Sequence, residues 1–488
     1  MDQIPMTIGG AAVTGDHPVE VINPATGRPC GLAPAGSATT LDAAMRAAAR
    51  AWPEWSEDRP ALPDRLRAAA RAVSAAASRI GELLAREQGK PLPLAVAETH
   101  AAAAMLRHYA GLELPVEVVQ DDRRGYAELV RCPLGVVAAV TPWNFPVAAA
   151  AAKLAPALRA GNAVVLKPAP ETPLSTLELG RVLAGVLPPG VVNVVSGDDR
   201  LGAAMVAHPV PRMVSLTGSV PTGRRAARRA GAGLKRCLLE LGGNDPGILL
   251  DDVDPGQVAE RLFWAAFANN GQACLLVKRL YVPERLHHPV VEALAERARR
   301  VRVGDPLAAG TQLGPVTTLR QYRRIHRLVR GAVAAGARAA CGGGPLPGPG
   351  YFYPPTVLAG ADDRMPVVAE EQFGPVLPVV PYRDLAEAVR RANATEFGLG
   401  GSVWSADPER AERVAARLEC GTVWVNSHAV LGPDQPVAGW KASGIGVEGG
   451  RLGLAEYTAV QVRHRPVPPG RRPAAPALLA TAAGRHGG

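Results

Sequence analysis

The sequence predicts an α/β protein built on a doubly wound parallel sheet, and two patterns indicate this fold class. Between residues 135 and 243, short and almost entirely apolar runs alternate with helical segments; the runs are GVVAAVT, NAVVLKP, VVNVVSG, RMVSLTGS and KRCLLELGG. Continuous Val and Leu runs of this length are typical of strands buried on both faces of a parallel sheet. Their alternation with helices indicates a doubly wound arrangement.

The segments around this sheet predict more helices and a second α/β unit. In the first third, LDAAMRAAARAWPEW and PALPDRLRAAARAVSAAASRIGELLAREQGK have apolar residues at the spacing of amphipathic helices. In TPLSTLELGRVLAGV, Thr172 is placed to cap a crossover helix and Pro173 to occupy its first turn. After Gly243 the pattern predicts a helix over 257–268, a strand in LVKRLYV and a helix over 287–300. The stretch CGGGPLPGPG predicts an exposed loop or hairpin.

Composition limits the class of protein. A chain of 488 residues that is 47% apolar and 20% charged is long enough for two or three domains, each with its own core. Its six cysteines are scattered without a C-x-x-C pair, which disfavours a disulfide framework or a zinc site and favours a cytoplasmic location. We see no secretory signal, and the most apolar long segment, 135–158, is interrupted by Pro142, Asn144 and Lys153. We therefore expect a soluble protein with no membrane partner.

The formal net charge of +10 raises the question of a polyanionic partner. The arginines are dispersed, and the local cluster GRRAARRAG has no aromatic residues between them for stacking on bases. We therefore expect a solvated basic face and no nucleic-acid partner. The proline- and alanine-rich segment 466–488 has no sustained pattern, and we expect it to be disordered.

Three segments contain residues suited to catalysis. Cys274 follows the polar stretch NNGQA and precedes an apolar strand; taken alone, a buried structural cysteine is the more frequent outcome than a nucleophile. In LLELGGN, Glu240 ends a buried strand, where partial burial favours a raised pKa and a role as general base, with a salt bridge or capping role as the alternative. In TPWNFP, two prolines stiffen a turn that holds the amide of Asn144 as an oxyanion donor, or simply form an asparagine turn.

Two glycine-containing segments are candidates for binding phosphate. In SLTGSVPTG, a strand leads through Gly218 and Ser219 into a helix, so that free backbone amides and a hydroxyl are available to an anion. A G-x-G-x-x-G also occurs at Gly444, Gly446 and Gly449, but no buried strand precedes it and no long helix follows. We interpret the second segment as a turn.

Together these motifs resemble the aldehyde dehydrogenase superfamily, in its NAD(P)-dependent, non-phosphorylating form. The resemblance extends from about residue 21 to 463 and includes, in order, NPATG, TPWNFP, KPAP, SLTGS, LELGGN, NNGQAC, EEQFGPV, NATEFGLGGSVW, GTVWVN and GWKASGIG. The spacing between Glu240 and Cys274 is the one that this family keeps. The family implies that an aldehyde is oxidised to its carboxylic acid through a cysteine thiohemiacetal and a thioester.

The resemblance also implies site residues and their roles. Cys274 is the expected nucleophile, Asn144 the oxyanion donor and Glu240 the base that activates water. The expected cofactor-binding residues are Trp143, Lys167, Gly218, Ser219, Glu371 and Phe373. No metal is expected.

Two alternatives to this activity remain open. One is a CoA-acylating semialdehyde dehydrogenase, whose members usually lack the base glutamate, so that Glu240 argues against it. The other is a catalytically silent scaffold with the same fold.

The choice of cofactor is also open. Pro170 stands where NAD-preferring members often have a glutamate, and proline neither binds the adenine-ribose hydroxyls nor repels a 2′-phosphate. The expected preference for NAD is therefore weak, and NADP stays possible, with Arg224 or Arg225 as phosphate contacts. Asn244 replaces a lysine that is frequent in the family.

From the patterns and the resemblance we expect six segments. They are the N-terminal helical part of the cofactor-binding domain (1–115), an oligomerisation arm (116–133), the Rossmann-like part of that domain (134–243), an α/β catalytic domain (244–440), a C-terminal oligomerisation segment (441–465) and the tail (466–488). The small β arm implies a homodimer or homotetramer. The apolar residues after Cys274 favour an apolar or neutral aldehyde, in a pocket to which Val147, Phe263 and Phe267 contribute.

Overall fold

The structure is a computed structural model that describes residues 3–15, 17–122 and 125–466. Arg123 and Arg124 of the expected oligomerisation arm and residues 467–488 of the expected tail lie outside the described residues. Within these ranges, no helix combines the length and the apolar character needed to cross a bilayer.

The described residues form fifteen α-helices and twenty-four strands. The helices are α1 (Ala38–Glu57), α2 (Leu62–Ala75), α3 (Ala77–Gln88), α4 (Leu92–Ala110), α5 (Pro146–Arg159), α6 (Leu174–Ala184), α7 (Asp199–Ala207), α8 (Val220–Ala232), α9 (Pro255–Phe267), α10 (Glu284–Arg299), α11 (Leu319–Ala334), α12 (Pro366–Ala369), α13 (Leu385–Asn393), α14 (Pro408–Ala415) and α15 (Gly450–Glu456). The strands of the first half are β1 (Met6–Ile8), β2 (Ala11–Val13), β3 (His17–Asn23), β4 (Arg28–Ala35), β5 (Glu117–Asp122), β6 (Gly125–Pro133), β7 (Val136–Val140), β8 (Ala163–Lys167), β9 (Val192–Val194), β10 (Met213–Thr217), β11 (Arg236–Glu240) and β12 (Asp245–Leu249). Those of the second half are β13 (Val277–Pro283), β14 (Arg338–Cys341), β15 (Thr356–Ala359), β16 (Val376–Tyr382), β17 (Phe397–Gly398), β18 (Gly400–Trp404), β19 (Thr422–Val425), β20 (Val437–Ala438), β21 (Trp440–Lys441), β22 (Gly444–Ile445), β23 (Val447–Glu448) and β24 (Thr458–Arg465).

The first sheet confirms the doubly wound prediction. Its order is β2-β1-β9-β8-β7-β10-β11-β22, and the five strands from β9 to β11 are mutually parallel. Counted along the chain, these five have the order 3-2-1-4-5, which is the strand order of a Rossmann-type sheet. The direction of winding changes between β7 and β10, so the carboxyl ends of these strands form a crevice for a ligand.

A second sheet holds the other half of the chain. Its order is β14-β15-β16-β13-β12-β18-β19, and all pairs except β14–β15 are parallel. β13, predicted from LVKRLYV, is buried over its whole length at the centre of this sheet. The predicted helices over 257–268 and 287–300 correspond to α9 and α10.

A third, antiparallel sheet joins the segments expected to mediate oligomerisation. β6 pairs with β5 on one side and with β24 on the other, with Thr458 opposite Pro133 and Arg465 opposite Tyr126. Several apolar side chains of this sheet are exposed, including Val118 and Val462.

One local prediction is wrong, and the error arises from tertiary contacts. Thr172 does not cap α6: its hydroxyl donates to the carbonyl of Trp143, and the free amides of Leu174 and Ser175 donate to Glu87 of α3. The alanine-rich segment 60–90 forms two helices, α2 and α3, which meet at Ala76, although no glycine or proline marks that position.

Candidate active site

The candidate site lies where the carboxyl edge of the first sheet meets the amino edge of the second. Glu240 is the last residue of β11, and Asp245 is the first residue of β12, so the chain passes from one sheet to the other within four residues. Cys274 precedes β13, and Glu371 precedes β16. Segments far apart in the sequence therefore converge on the LELGGN turn.

Close backbone contacts hold this convergence together. A Cβ at Gly243 would lie 2.7 Å from the carbonyl oxygen of Cys274, and one at Gly242 would lie 2.6 Å from Oε2 of Glu371. The amide of Gly243 donates to Oε1 of Glu371 at 3.0 Å. The glycine pair thus permits the nucleophile loop and the Glu371 segment to approach the end of β11.

The loop before Cys274 has an unusual backbone that its sequence supports. Asn269 and Asn270 have φ of 49° and 55°, in the left-handed region that asparagine tolerates better than most residues. Gly271 follows with φ of 73°, and a Cβ there would lie 2.0 Å from the carbonyl oxygen of Gly374. Only glycine fits this close approach.

The polar residues of this loop bind neighbouring backbone. Asn270 donates to the carbonyl of Gly314 at 2.9 Å, and the amide of Thr317 donates to Oε1 of Gln272 at 2.8 Å. Asn269 donates to the carbonyl oxygens of Asn144 and Gln272 at 3.2 and 3.3 Å. The polarity of NNGQA therefore fixes the position of the loop that presents Cys274.

Cys274 is half-buried among acids. Burial raises the pKa of its thiol to about 12, and the negative charges of Glu371, Glu240 and Asp245 add to this increase. The protonated thiol is therefore its resting form in the protein alone.

Glu240 has the properties of a buried base. Burial raises the pKa of its carboxyl well above the ordinary value; the negative charge of Glu448 raises it further, whereas Lys153 opposes this effect. Its Oε1 has no hydrogen-bond partner among the described residues. A free acceptor oxygen in a dry setting is available to a water molecule.

Lys153 and Glu448 were missed by the sequence analysis. Lys153 has no exposed side-chain surface, and its Nζ lies 3.1 Å from Oε1 of Glu448, which is 21% exposed. A lone lysine within the apolar run AAAAAKLAPAL was the available signal, because lysine is almost never fully buried without a partner. Glu448 belongs to the glycine-rich segment interpreted as a turn, whose strand β22 pairs Gly444 with Glu240.

The turn that holds Asn144 is anchored by a buried ion pair that sequence reasoning also missed. Lys90 pairs with Glu98 and donates to the carbonyl of Asn144 at 3.1 Å. The other oxygen of Glu98 accepts the first free amides of α5, from Val147 and Ala148. The side-chain amide of Asn144 donates to the carbonyl of Gln272 at 3.0 Å, next to the nucleophile loop.

On the cofactor side, Lys167, Gly218 and Ser219 follow adjacent regions of the first sheet. Lys167 ends β8 and is 2% exposed. Ser219 is the N-cap of α8, and its exposed hydroxyl accepts the amide of Thr222 at 3.4 Å. At Gly218 a Cβ would meet only Leu216, at 3.6 Å, so there is room beside the start of α8.

Of the other expected cofactor residues, Trp143 contacts Phe373, and Glu371 lies two positions before Phe373 in the same segment. The rings of Trp143 and Phe373 meet edge to face with centroids 5.2 Å apart. Arg324 of α11 holds this segment by donating to the carbonyl oxygens of Glu371 and Gln372 at 2.7 and 3.0 Å.

Lys278 lies beside Phe373, with its Nζ 5.6 Å from the centroid of the ring. It is fully buried, its Nζ donates to the carbonyl of Gly271 at 2.6 Å, and burial lowers its pKa to about 8.

Some residues expected near the site lie elsewhere or are engaged. Phe263, Phe267 and Val147 have no exposed surface, so none of them presents a face to an aldehyde in this structure. Arg224 pairs with Glu396 at 2.9 Å. Asn244 donates to the carbonyl of Val368 at 2.9 Å and thereby ties the end of the first sheet to α12.

Comparison with known proteins agrees with this geometry. The model of the Aldehyde dehydrogenase family matches residues 12–462. A phenylacetaldehyde dehydrogenase of Pseudomonas fluorescens is 38% identical over 477 residues, covering 93% of this chain and 94% of that protein. A betaine aldehyde dehydrogenase of Cereibacter sphaeroides is 39% identical over 453 residues, covering 91% and 93%. The crystal structure of betaine aldehyde dehydrogenase from Staphylococcus aureus in complex with NAD+ has a TM-score of 0.91 at 31% identity, covering 94% of each chain.

Proposed function

The chain belongs to the aldehyde dehydrogenase family and catalyses the NAD(P)-dependent oxidation of an aldehyde to its acid; within that activity, we propose that Cys274, Asn144 and Glu240 carry the chemistry. The main support is the contact between the two catalytic segments. The backbone of Gly243, three residues after Glu240, packs on the carbonyl of Cys274. This contact brings the segment of the proposed nucleophile against the segment of the proposed base.

We propose a part in the reaction for each of these residues. Cys274 gives its proton to water, and its sulfur bonds to the aldehyde carbon to form a thiohemiacetal. Asn144 has a second amide hydrogen beyond the one bonded to Gln272, and it donates this hydrogen to the developing oxyanion. Bound NAD(P)+ would supply the acceptor for the hydride that leaves the substrate carbon, and the product on Cys274 would be a thioester. Glu240 takes a proton from water as the water oxygen attacks the thioester carbon. The carbon–sulfur bond then breaks, the acid leaves, and the sulfur of Cys274 takes up the proton from Glu240.

The residues on the cofactor side fit a dinucleotide. Lys167 carries a buried ammonium whose only hydrogen bond among described residues is to the carbonyl of Pro168, at 3.2 Å. The start of α8 offers free amides beside the open position at Gly218, which suits a phosphate. Glu371 offers a carboxylate for ribose hydroxyls, and Trp143 and Phe373 offer apolar faces for a ring.

Binding of NAD+ is expected to weaken as the pH falls through about 7, because burial raises the pKa of Glu371 to about 7. The hydrogen bond from the amide of Gly243 and the positive charge of Lys278 lower this pKa, but burial has the larger effect. Above this value the ionised carboxylate accepts hydrogen bonds from ribose hydroxyls; below it the protonated group accepts less well. The dissociation constant should therefore rise with falling pH, by up to about tenfold per unit. Fluorescence titration from pH 6 to 8.5 measures it. Glu371→Gln should bind weakly and without this dependence; a variant profile equal to that of the wild type would contradict the role.

We propose neutral, apolar aldehydes as the substrate class. Cys274 is flanked by the half-buried Ala273 and Leu275, and the acids that raise its pKa make the site negative. A carboxylated aldehyde would bring a like charge into this field. The test measures kcat/KM from the absorbance of the reduced cofactor with phenylacetaldehyde, betaine aldehyde and succinic semialdehyde. Phenylacetaldehyde should exceed succinic semialdehyde by at least about tenfold, and the reverse order would refute the assignment.

We also propose that the antiparallel sheet of β5, β6 and β24 mediates self-association as a dimer or tetramer. Val118, Val119, Val460 and Val462 on this sheet are each at least half exposed. Exposed apolar side chains on neighbouring strands suit a contact with a second copy of the chain.

A further inference from the structure

The adenosine end of the cofactor site has an unexplained feature at Pro170. This residue is exposed and follows Lys167 by three positions, where it offers no acceptor to a ribose. The neighbouring strand of the same sheet offers another source of acceptors. β8 and β9 are parallel, with Leu166 opposite Val194, so the residues that follow Val194 emerge beside Lys167.

α7 begins shortly after β9, and the two acidic residues at its start, Asp198 and Asp199, differ in their hydrogen bonds. Asp198 is the N-cap, and its Oδ1 accepts the amides of Arg200 and Leu201, both at 3.0 Å. Asp199 is exposed and, within the described ranges, accepts no hydrogen bond and forms no ion pair. The helix therefore uses one carboxylate and leaves the next available.

The side chain of Lys167 runs along the first turn of α7. A Cβ at Gly202 would lie 3.6 and 3.7 Å from Cδ and Cε of Lys167. Asp199 is three residues before Gly202 and so shares its face of the helix. Burial lowers the pKa of Lys167, and the negative charge of Asp199 opposes this more than those of Glu171 and Asp198.

We infer that Asp199 takes the place of the missing glutamate: it accepts hydrogen bonds from the adenine-ribose hydroxyls and repels a 2′-phosphate, so that the enzyme prefers NAD to NADP. This inference rests on the cofactor site proposed above. A carboxylate accepts strong hydrogen bonds from a neutral diol, whereas a phosphate monoester in the same place brings a like charge of nearly two. Specificity then comes from both an attractive and a repulsive contact.

The cations nearby do not reverse this preference. Arg200 is 96% exposed, and its Nε is 4.0 Å from Oδ2 of Asp198, so it does not neutralise Asp199. Arg224 is paired with Glu396, and Arg225 donates to the hydroxyl of Thr222 at 3.1 Å. Lys167 does not distinguish NAD from NADP, because both cofactors carry a ribose hydroxyl that its ammonium can bind.

The test is calorimetric binding of NAD+, NADP+, 5′-AMP and 2′,5′-ADP to the full chain and to Asp199→Asn. The two adenosine ligands report on this end of the site without catalysis. The wild type should favour NAD+ over NADP+ and 5′-AMP over 2′,5′-ADP. In the variant, both preferences should fall by about tenfold or more, because like-charge contacts are strongly unfavourable. Glu171→Gln, which removes the same charge from a neighbouring position, is the matched control and should leave both ratios within about twofold.

Three results would overturn the inference. The wild type could prefer NADP+, the ratio could be unaltered in Asp199→Asn, or Glu171→Gln could change it equally. Each of these leaves the proposed function intact, because NAD+ or NADP+ still binds. Failure of the wild type to bind either dinucleotide would instead refute the cofactor site itself, and the inference with it.

Discussion

Replacement of Cys274 by alanine is expected to lower kcat/KM for aldehyde oxidation by at least about 10⁴-fold, because removal of a covalent nucleophile leaves only binding and oxyanion contacts. The side chain is half-buried and smaller by a single sulfur atom in the variant, so the fold should be retained. Absorbance of the reduced cofactor measures the loss. Calorimetric binding of NAD+ should be preserved, which separates a chemical defect from a folding defect.

Cys341→Ala is the matched control for this variant. Cys341 is also half-buried; it ends β14, the edge strand of the second sheet, and donates to the carbonyl of Pro355. Its replacement should leave kcat/KM unchanged. Substantial activity in Cys274→Ala would exclude a covalent thioester and with it the assignment of Glu240.

The buried sheet could be predicted, and the segments of the proposed site could be singled out, because each leaves a local mark in the sequence. Parallel strands buried on both faces require continuous apolar runs, and the five runs between residues 135 and 243 became β7 to β11. Glu240 is an acid at the end of such a run, and the glycines after it leave room for the Cys274 loop. Cys274 could be proposed as the nucleophile only together with the other motifs, because the sequence around it also suits a structural cysteine.

What escaped prediction depends on contacts between distant segments. Glu87 caps α6 from another helix, so the local cap at Thr172 was not needed. Lys153 forms an ion pair with Glu448, which is almost 300 positions away in the sequence. No pattern within either segment predicts that the two side chains meet. Asp199 is an ordinary first-turn acid in the sequence, and it gains a distinct role only because β8 and β9 are neighbours.

Glu240→Gln is expected to separate the two halves of the reaction. Glutamine keeps the shape of the side chain but does not accept the proton of water, so the thioester should form and then persist. Rapid mixing with NAD+ and aldehyde should give a burst of about one reduced cofactor per subunit, followed by turnover slowed by at least about 10²-fold. Intact mass spectrometry should detect the acyl group on Cys274, and hydroxylamine should release it. A loss of the burst itself would place Glu240 in thiol deprotonation instead.

Glu448→Gln tests whether the surroundings of Glu240 tune this base. Glu448 raises the pKa of Glu240, and it also occupies the ammonium of Lys153 at 3.1 Å. Its neutral replacement removes a repulsive charge and frees Lys153 to attract Glu240, so both effects lower the pKa of Glu240. The ionised base then persists to lower pH, and the acidic limb of the kcat profile should move downward while the burst is retained. If the acidic limb keeps its position in Glu448→Gln, another group controls deacylation. If Glu448→Gln moves the limb to lower pH in the wild-type background but not in Glu240→Gln, Glu240 is the titrating base.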